Sequence, residues 1–504
     1  MTATLPRAPK TTEALPPLRD GSWHLPVVLG VFGFVVVFAG SWIPSFWGDE
    51  AASVMSAERT LPSLFAMTRN VDAVHAVYYL FLHFWIQIFG PSELSARLPS
   101  AIAIGAAVAG TFVLGRMLAN RNVAIASALL CAVLPRTSFM GADARSSAMA
   151  TAVAVWATVL LITLMRRRFG STRAHRLAWL SYSLVIAAGI YLFMYLGLVL
   201  LVHGAFLLTQ HPPRRLWRQW CTSALIAVTL SLPLIGIGYA QRGQIAFLSH
   251  RNYATAKSVL VMQWFGNPYL AAASWLLIVV AIIGATLSWR TSRQLSPMVS
   301  LVVMWIALPT SALLLTNMVT PAYNLRYVSF CVPGVALAVA TGIWSLRGRT
   351  TRIVAAILVL VFAVPTDIGQ REPFAKDGGS DLAQTAAIIG QQAHPGDGII
   401  FDRTTPNRQR PRLASHLYPA DFIGLDDVAL KSSYVDRAEL WDTTYPLVDI
   451  AARLAPINHV WLVEVKGSPD NTLETDVAIL ENDGFTLDST QRVHRTIIYS
   501  LVKR

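Results

Sequence analysis

Between residues 21 and 366 of this 504-residue chain there are only six carboxylates: Asp49, Glu50, Glu58, Asp72, Glu93 and Asp143. Asp49 and Glu50 follow Trp47-Gly48 just past the first long apolar run, which puts them beside the end of a membrane span. Ionisable groups at such a depth are costly and tend to be paired or functional. A carboxylate there can take the proton of a hydroxyl nucleophile while a glycosidic carbon gains oxocarbenium character. Cations nearby would then steady a departing phosphate. The bland reading of the same pair is an interfacial helix cap.

Other residues could join that chemistry. Asp72 and His75 are three apart at the start of an apolar helix, so they face one side and suit a sugar pocket. They would otherwise be an N-cap and a simple interfacial histidine. Asp143 and Arg145 either line the pocket or form a local charge pair that closes a loop. Arg326, between Tyr323 and Tyr327 and far from any acid in sequence, is the strongest phosphate ligand, because an arginine fork can hold two oxygens at once. Arg97, Arg136, Arg242 and Arg251 are further cations; Arg251 lies in a segment, 240–269, that could close over a donor. His83 and His203 fall inside apolar helices and read as structural. No metal-ligand spacing and no Gly-rich nucleotide loop is present. The sequence therefore calls for no cofactor and leaves a divalent metal open.

The elements that position these residues are membrane helices. Hydrophobic residues make up 54% of the chain and charged ones 14%, against about 25% in soluble domains. The apolar residues come in blocks long enough to cross about 30 Å of hydrocarbon as helices. The net charge of +13 could suggest nucleic acid, but the basic residues sit in short loops between those blocks. Five such clusters, around Arg116/Arg121, Arg166–Arg176, Arg214–Arg218, Arg290/Arg293 and Arg347–Arg352, belong on the cytoplasmic side. The expected spans are then 25–43, 97–117, 122–140, 148–165, 177–192, 194–210, 221–239, 270–289, 297–316, 328–346 and 353–367. Eleven spans leave the N-terminus inside and all six acids outside. Residues 76–90 are read as a helix lying in the outer interface, with Tyr78, Tyr79, Phe84 and Trp85 as its aromatic belt.

The expected organisation is a disordered cytoplasmic tail (1–24) and an all-α polytopic domain (25–367) whose external loop 44–96 carries the acids. A soluble α/β domain (368–504) follows outside the membrane. Residues 367–504 hold 20 acids and 14 bases, the reverse of the basic remainder. A helix over 381–392, a turn at 394–397 and strands at 398–401, 460–465 and 496–502 are expected in it. No catalytic set is visible there. Cys131, Cys221 and Cys331 lie in apolar blocks and read as buried small residues.

Three runs, S-F-W-G-D-E-A-A-S (45–53), V-D-A-V-H-A-V-Y-Y-L (71–80) and S-E-L-S-A-R-L-P-S-A-I (92–102), resemble the GT-C fold glycosyltransferases. The likeness is greatest to the dolichyl-phosphate-mannose mannosyltransferase-like family, which includes the aminoarabinose transferases of lipid A, and within it to actinobacterial mannosyltransferases. G-A-D-A-R-S-S-A (141–148) and A-Y-N-L-R-Y-V-S-F (322–330) resemble its arginine-containing motifs. His75-Ala76-Val77 departs from the commoner His-Pro-Pro, so one wall of the pocket would differ.

The resemblance implies an integral plasma-membrane enzyme that moves a sugar, mannose first, from a polyprenyl-phosphate donor to an envelope glycan, lipoglycan or protein. It implies an inverting single displacement, with Asp49 as general base and Glu50 its catalytic neighbour. An arabinofuranosyl or other pentosyl transferase on the same carrier is the alternative. A transporter of lipid-linked sugars fits less well, because no internal repeat is seen and the acids gather at one face.

Overall fold

The computed structural model describes residues 23–167, 170–293, 295–467 and 475–504; most of the N-terminal tail lies outside them. The chain begins with α1 (His24–Phe38), then three helices before the next long one: α2 (Gly48–Glu58), α3 (Leu61–Asn70) and α4 (Ala76–Phe89). There follow α5 (Glu93–Leu118), α6 (Arg121–Val133), α7 (Pro135–Gly141), α8 (Ser147–Arg166), α9 (Thr172–Leu192), α10 (Leu198–Gln210) and α11 (Arg214–Ala240). The helical part closes with α12 (Pro268–Ser292), α13 (Pro297–Asn317), α14 (Val332–Ser345) and α15 (Arg349–Gly369).

Every apolar block expected from the sequence is helical, and residues 76–89 form a helix as well. Among the described residues six helices are long and apolar enough to cross a membrane: α5, α8, α11, α12, α13 and α15. The count is seven if α6 and α7, bent by 60° at Pro135, act as one broken span. A proline at that point removes a helical N–H and turns the chain. Helices α1, α10 and α14 are apolar but shorter, and Phe193 in extended conformation separates α9 from α10. Long apolar side chains on α11, α12 and α15 remain exposed, as lipid-facing surfaces require.

The C-terminal region contains α16 (Leu382–Gln392), β1 (Gly398–Phe401), α17 (Leu413–Leu417), β2 (Asp426–Asp427), β3 (Leu430–Ser432), β4 (Thr443–Thr444) and α18 (Ala451–Leu454). It ends with β5 (His459–Val465), α19 (Asp476–Asn482), β6 (Phe485–Arg492) and β7 (Thr496–Lys503). Five strands make one sheet in the order β2-β1-β5-β7-β6, parallel on the β2-β1-β5 side and antiparallel beyond it. Strand β5, HVWLVEV, is central and buried on both faces, which explains its unbroken apolar run.

This region does not hang from the membrane part by a tether. Phe46, Ala51, Val54, Met55, Ala96 and Ala144 share one apolar core with Leu382, Ala386, Leu413, Ala414, Leu417 and Tyr434. On its other side α2 packs Ala52 and Ala57 against Tyr78, Tyr79 and Leu82 of α4. Helix α2 is therefore buried almost all round, between the helical part and the C-terminal region. Tyr78 and Tyr79, at 1% and 0% exposure, are core residues and not an aromatic belt. Phe84, 51% exposed, keeps the outward position expected of it.

Candidate active site

Helix α2 starts at Gly48 and carries Asp49 and Glu50 in its first turn, where the helix dipole favours negative charge. A Cβ on Gly48 would collide with the carbonyl oxygen of Arg408, so only glycine lets the C-terminal region close over this helix start. The two acids then diverge. One residue along a helix turns a side chain by about 100°, and the turn sends Glu50 inward and Asp49 toward an open rim.

Glu50 is fully buried and does not occupy the catalytic position expected of it. Arg97 of α5 donates Nε to Glu50 Oε1 at 2.7 Å and Nη2 to Oε2 at 2.5 Å. The Ala144 N–H donates to Oε1 as well, at 2.9 Å. Arg97 spends its other donors on the carbonyls of Ser41, Pro44 and Ser45. Glu50 and Arg97 thus fasten α2 to α5 and to the 142–146 turn. No oxygen of Glu50 is left facing a substrate.

Asp49 is partly open, its side chain 21% exposed, and lies among guanidinium groups. Arg326 Nη1 donates to Asp49 Oδ2 at 2.6 Å, and the Arg326 guanidinium lies over the Trp47 ring. Arg145 Nη1 donates to the Asp49 carbonyl and to Ser53 Oγ, each at 3.2 Å. Burial works against ionising Asp49. Arg326, Arg145 and Arg408 together outweigh it and hold the carboxyl below the usual carboxylate range.

Arg145 is also the hub for Asp72 and His75. Its Nη2 donates to His75 Nε2 at 3.0 Å, and its Nη1 is 3.5 Å from Tyr79 Oη. Tyr79 in turn donates to Asp72 Oδ2 at 2.8 Å. Because arginine only donates, His75 accepts at Nε2 and keeps its proton on Nδ1. Burial, with Arg145 next, pushes the His75 pKa well below the ordinary value, so the ring is neutral. Asp72 has a left-handed φ of 57°, and its carboxylate goes to Tyr79 instead of capping a helix. Burial raises the Asp72 carboxyl despite Arg145 and Tyr79.

Asp143 and Arg145 do not pair with each other through their side chains. Asp143 is buried, accepts from Trp47 Nε1 at 3.0 Å and has Lys376 Nζ 4.0 Å away. Burial drives both members of that pair toward their neutral forms, against their mutual attraction. Ser100 Oγ donates to the Asp143 carbonyl, and Lys376 Nζ to that of Ala142, each at 2.7 Å. Those bonds fix the short turn that aims Arg145.

Among the remaining expected site residues, Tyr327 stacks on Tyr195 at 4.4 Å beside Arg326. Tyr323 is buried elsewhere, donating to Gln263 Oε1, whose backbone carbonyl accepts from Arg136. Arg251 is exposed and touches no member of the Asp49 cluster among the described residues. No three His, Cys, Asp or Glu side chains form a metal-holding group among the described residues. The sequence reading missed Tyr79, Trp47, Ser53 and Arg408. Trp47 and Ser53 lie in the run 45–53 and Tyr79 in the run 71–80, one turn beyond His75 on the same helix face, whereas Arg408 carried no signal.

Residues 75–237 match the family model described as dolichyl-phosphate-mannose-protein mannosyltransferase. No protein of curated function matches the sequence. Among solved structures the chain is similar to ArnT from Cupriavidus metallidurans in the apo state. The TM-score is 0.55 at 11% identity, over 95% of this chain and 98% of that one. ArnT bound to undecaprenyl phosphate gives a TM-score of 0.54 at 13% identity, with the same coverage. The apo oligosaccharyltransferase of Archaeoglobus fulgidus gives 0.51 at 9% identity, over 88% of this chain and 70% of that one. At such identities the structures share the fold, and the family match adds the class of enzyme. The chain is a membrane glycosyltransferase of the GT-C fold.

Proposed function

We propose that the enzyme transfers mannose from a polyprenyl-phosphate donor to a hydroxyl of an envelope glycan, lipoglycan or protein, with inversion at the sugar carbon. The observation that carries this is the partly open Asp49 carboxylate set among Arg326, Arg145 and Arg408. The acceptor oxygen bonds to the anomeric carbon as the bond from that carbon to the phosphate oxygen breaks. Asp49 takes the hydroxyl proton, and polyprenyl phosphate leaves with the electron pair. Arg326 and Arg145 stabilise the charge gathering on the phosphate. Asp72, His75 and Tyr327 line the sugar side. The mannosyl donor is supported by the family description, and the polyprenyl carrier by the ArnT structure bound to undecaprenyl phosphate.

In the same reading the helical part, 25–367, crosses the membrane eleven times with the N-terminus in the cytoplasm. The C-terminal domain, 368–504, lies outside with the acids. The basic clusters then all face the cytoplasm. The test is a panel of polyprenyl phosphates carrying mannose, arabinose, glucose or aminoarabinose, scored by release of free polyprenyl phosphate. Mannose should react, and Asp49→Asn should lower the rate by about 10²–10⁴-fold. A panel in which no carrier reacts sinks the reading, and preference for arabinose replaces the sugar.

A further inference from the structure

Arg408 stands apart from the other arginines around the site. Arg97, Arg136, Arg145, Arg326, Arg410 and Arg412 each donate hydrogen bonds to protein oxygens. The Arg408 side chain makes no hydrogen bond or ion pair among the described residues. It nevertheless has a fixed place. Its backbone is pressed on Gly48, with its Cβ 2.8 Å from where a Gly48 Cβ would be, one residue from Asp49. Its guanidinium lies over the ring of Phe247, 4.9 Å from the centroid.

The loop that presents it is braced. Asp402 Oδ1 accepts from the N–H groups of Thr404 and Thr405. Arg410 ties the loop to itself through the carbonyls of Thr405 and Arg403. Gln409 reaches Asp377 at 3.3 Å. A guanidinium stacked on a ring keeps its in-plane N–H donors free at the edge. A half-buried cation held that firmly with its donors unspent is arranged for an anion from outside the protein.

The chemistry at Asp49 says which anion. A base that takes the proton of an attacking hydroxyl must sit near the sugar carbon, and the donor phosphate is bonded to that same carbon. Arg408 meets Gly48, the residue before Asp49, so its side chain springs from beside the base, where a sugar phosphate held at that base brings its charge. A neutral hydroxyl acceptor has no need of it. We propose that Arg408, supplied by the C-terminal region, binds the phosphate of the lipid-linked donor and makes that region part of the active site. This rests on the glycosyltransfer reading above.

The test uses the full chain in lipid nanodiscs and measures binding of undecaprenyl phosphate without sugar, then initial rates with the mannosyl donor. Arg408→Ala should weaken undecaprenyl phosphate binding by about tenfold or more, as loss of a charge-assisted hydrogen bond does. Arg408→Lys should restore part of it. Donor KM should rise while acceptor KM stays in place. Should Arg408→Ala fold poorly, Arg408→Gln keeps a polar side chain on the loop while removing the charge and the guanidinium over Phe247. Equal binding by well-folded Arg408→Ala or Arg408→Gln overturns this proposal alone, as does a rise confined to acceptor KM. Failure of the unmodified chain to bind undecaprenyl phosphate overturns both readings.

Discussion

Arg326 Nη1 stands 2.6 Å from Asp49 Oδ2, joining a helix start at residue 48 to a loop nearly three hundred residues later. The acid best placed to accept a proton is thus held ionised by a cation also suited to phosphate. An ion-paired carboxylate is a weak base. In the proposed reaction, phosphate arriving at Arg326 draws off that cation and restores the basicity of Asp49. Donor binding and base activation are then one event.

The pairing sets the pH dependence. In the proposed reaction activity needs Asp49 as carboxylate, and its pKa is lowered, so the acid limb of kcat/KM should lie below the ordinary value of about 3.9. Arg326→Gln removes the nearest positive charge and should move that limb upward in whatever rate remains. A limb at the same pH in the variant would show that Arg326 does not govern Asp49.

Glu50 and Asp49 should separate in mutagenesis although they are neighbours. Glu50→Gln leaves Arg97 buried without its counter-charge, and breaking such a pair costs about 3–5 kcal/mol. The thermal midpoint should fall markedly. Asp49→Asn should keep the midpoint near that of the unmodified protein and lose turnover instead. A stable Glu50→Gln protein with abolished turnover would return Glu50 to the catalytic role.

His75 predicts a slope in stability. Its pKa is well below the ordinary value in the folded chain, so the unfolded chain binds more protons between the two values. The stability it contributes is complete above about pH 6.5 and is lost as the pH falls below that value. Differential scanning of the purified protein from pH 7.5 to 5 should show a falling midpoint, and His75→Gln should flatten it. Parallel curves for the two proteins would show that folding leaves the proton affinity of the histidine unchanged.

The proposed sidedness can be read by labelling. In a Cys221→Ser background, Arg173→Cys should be protected from an impermeant maleimide in intact cells, and Thr490→Cys on β6 should react. The reverse pattern would invert the membrane path.

The helices were legible because apolar length alone announces them. The break between α9 and α10, and the strand Gly398–Phe401 after its turn, also fell where residue types put them. Strand β6, FTLDSTQR, escaped because its alternating, largely exposed edge face carries few apolar residues. The resemblance named Asp49 as base but left Glu50 beside it as a catalytic neighbour, since only the position of Arg97 on another helix decides which carboxylate turns inward. Tyr79 looked like a belt residue because a short aromatic helix does not reveal which face meets protein. Arg408 looked like any other arginine in RTTPNRQRPR, and its meaning appears only where its backbone meets Gly48.

That Gly48 contact has a consequence in biosynthetic time. The helix bearing Asp49 is synthesised among the first sixty residues, but its cover arrives only with Arg408 and the loop around it. Until then Ala51, Val54 and Met55 lack their partners from Leu413, Ala414 and Leu417. A nascent chain halted before residue 408 would hold every expected catalytic acid and still have an unfinished site. The enzyme becomes competent late, when the tail folds back onto the head.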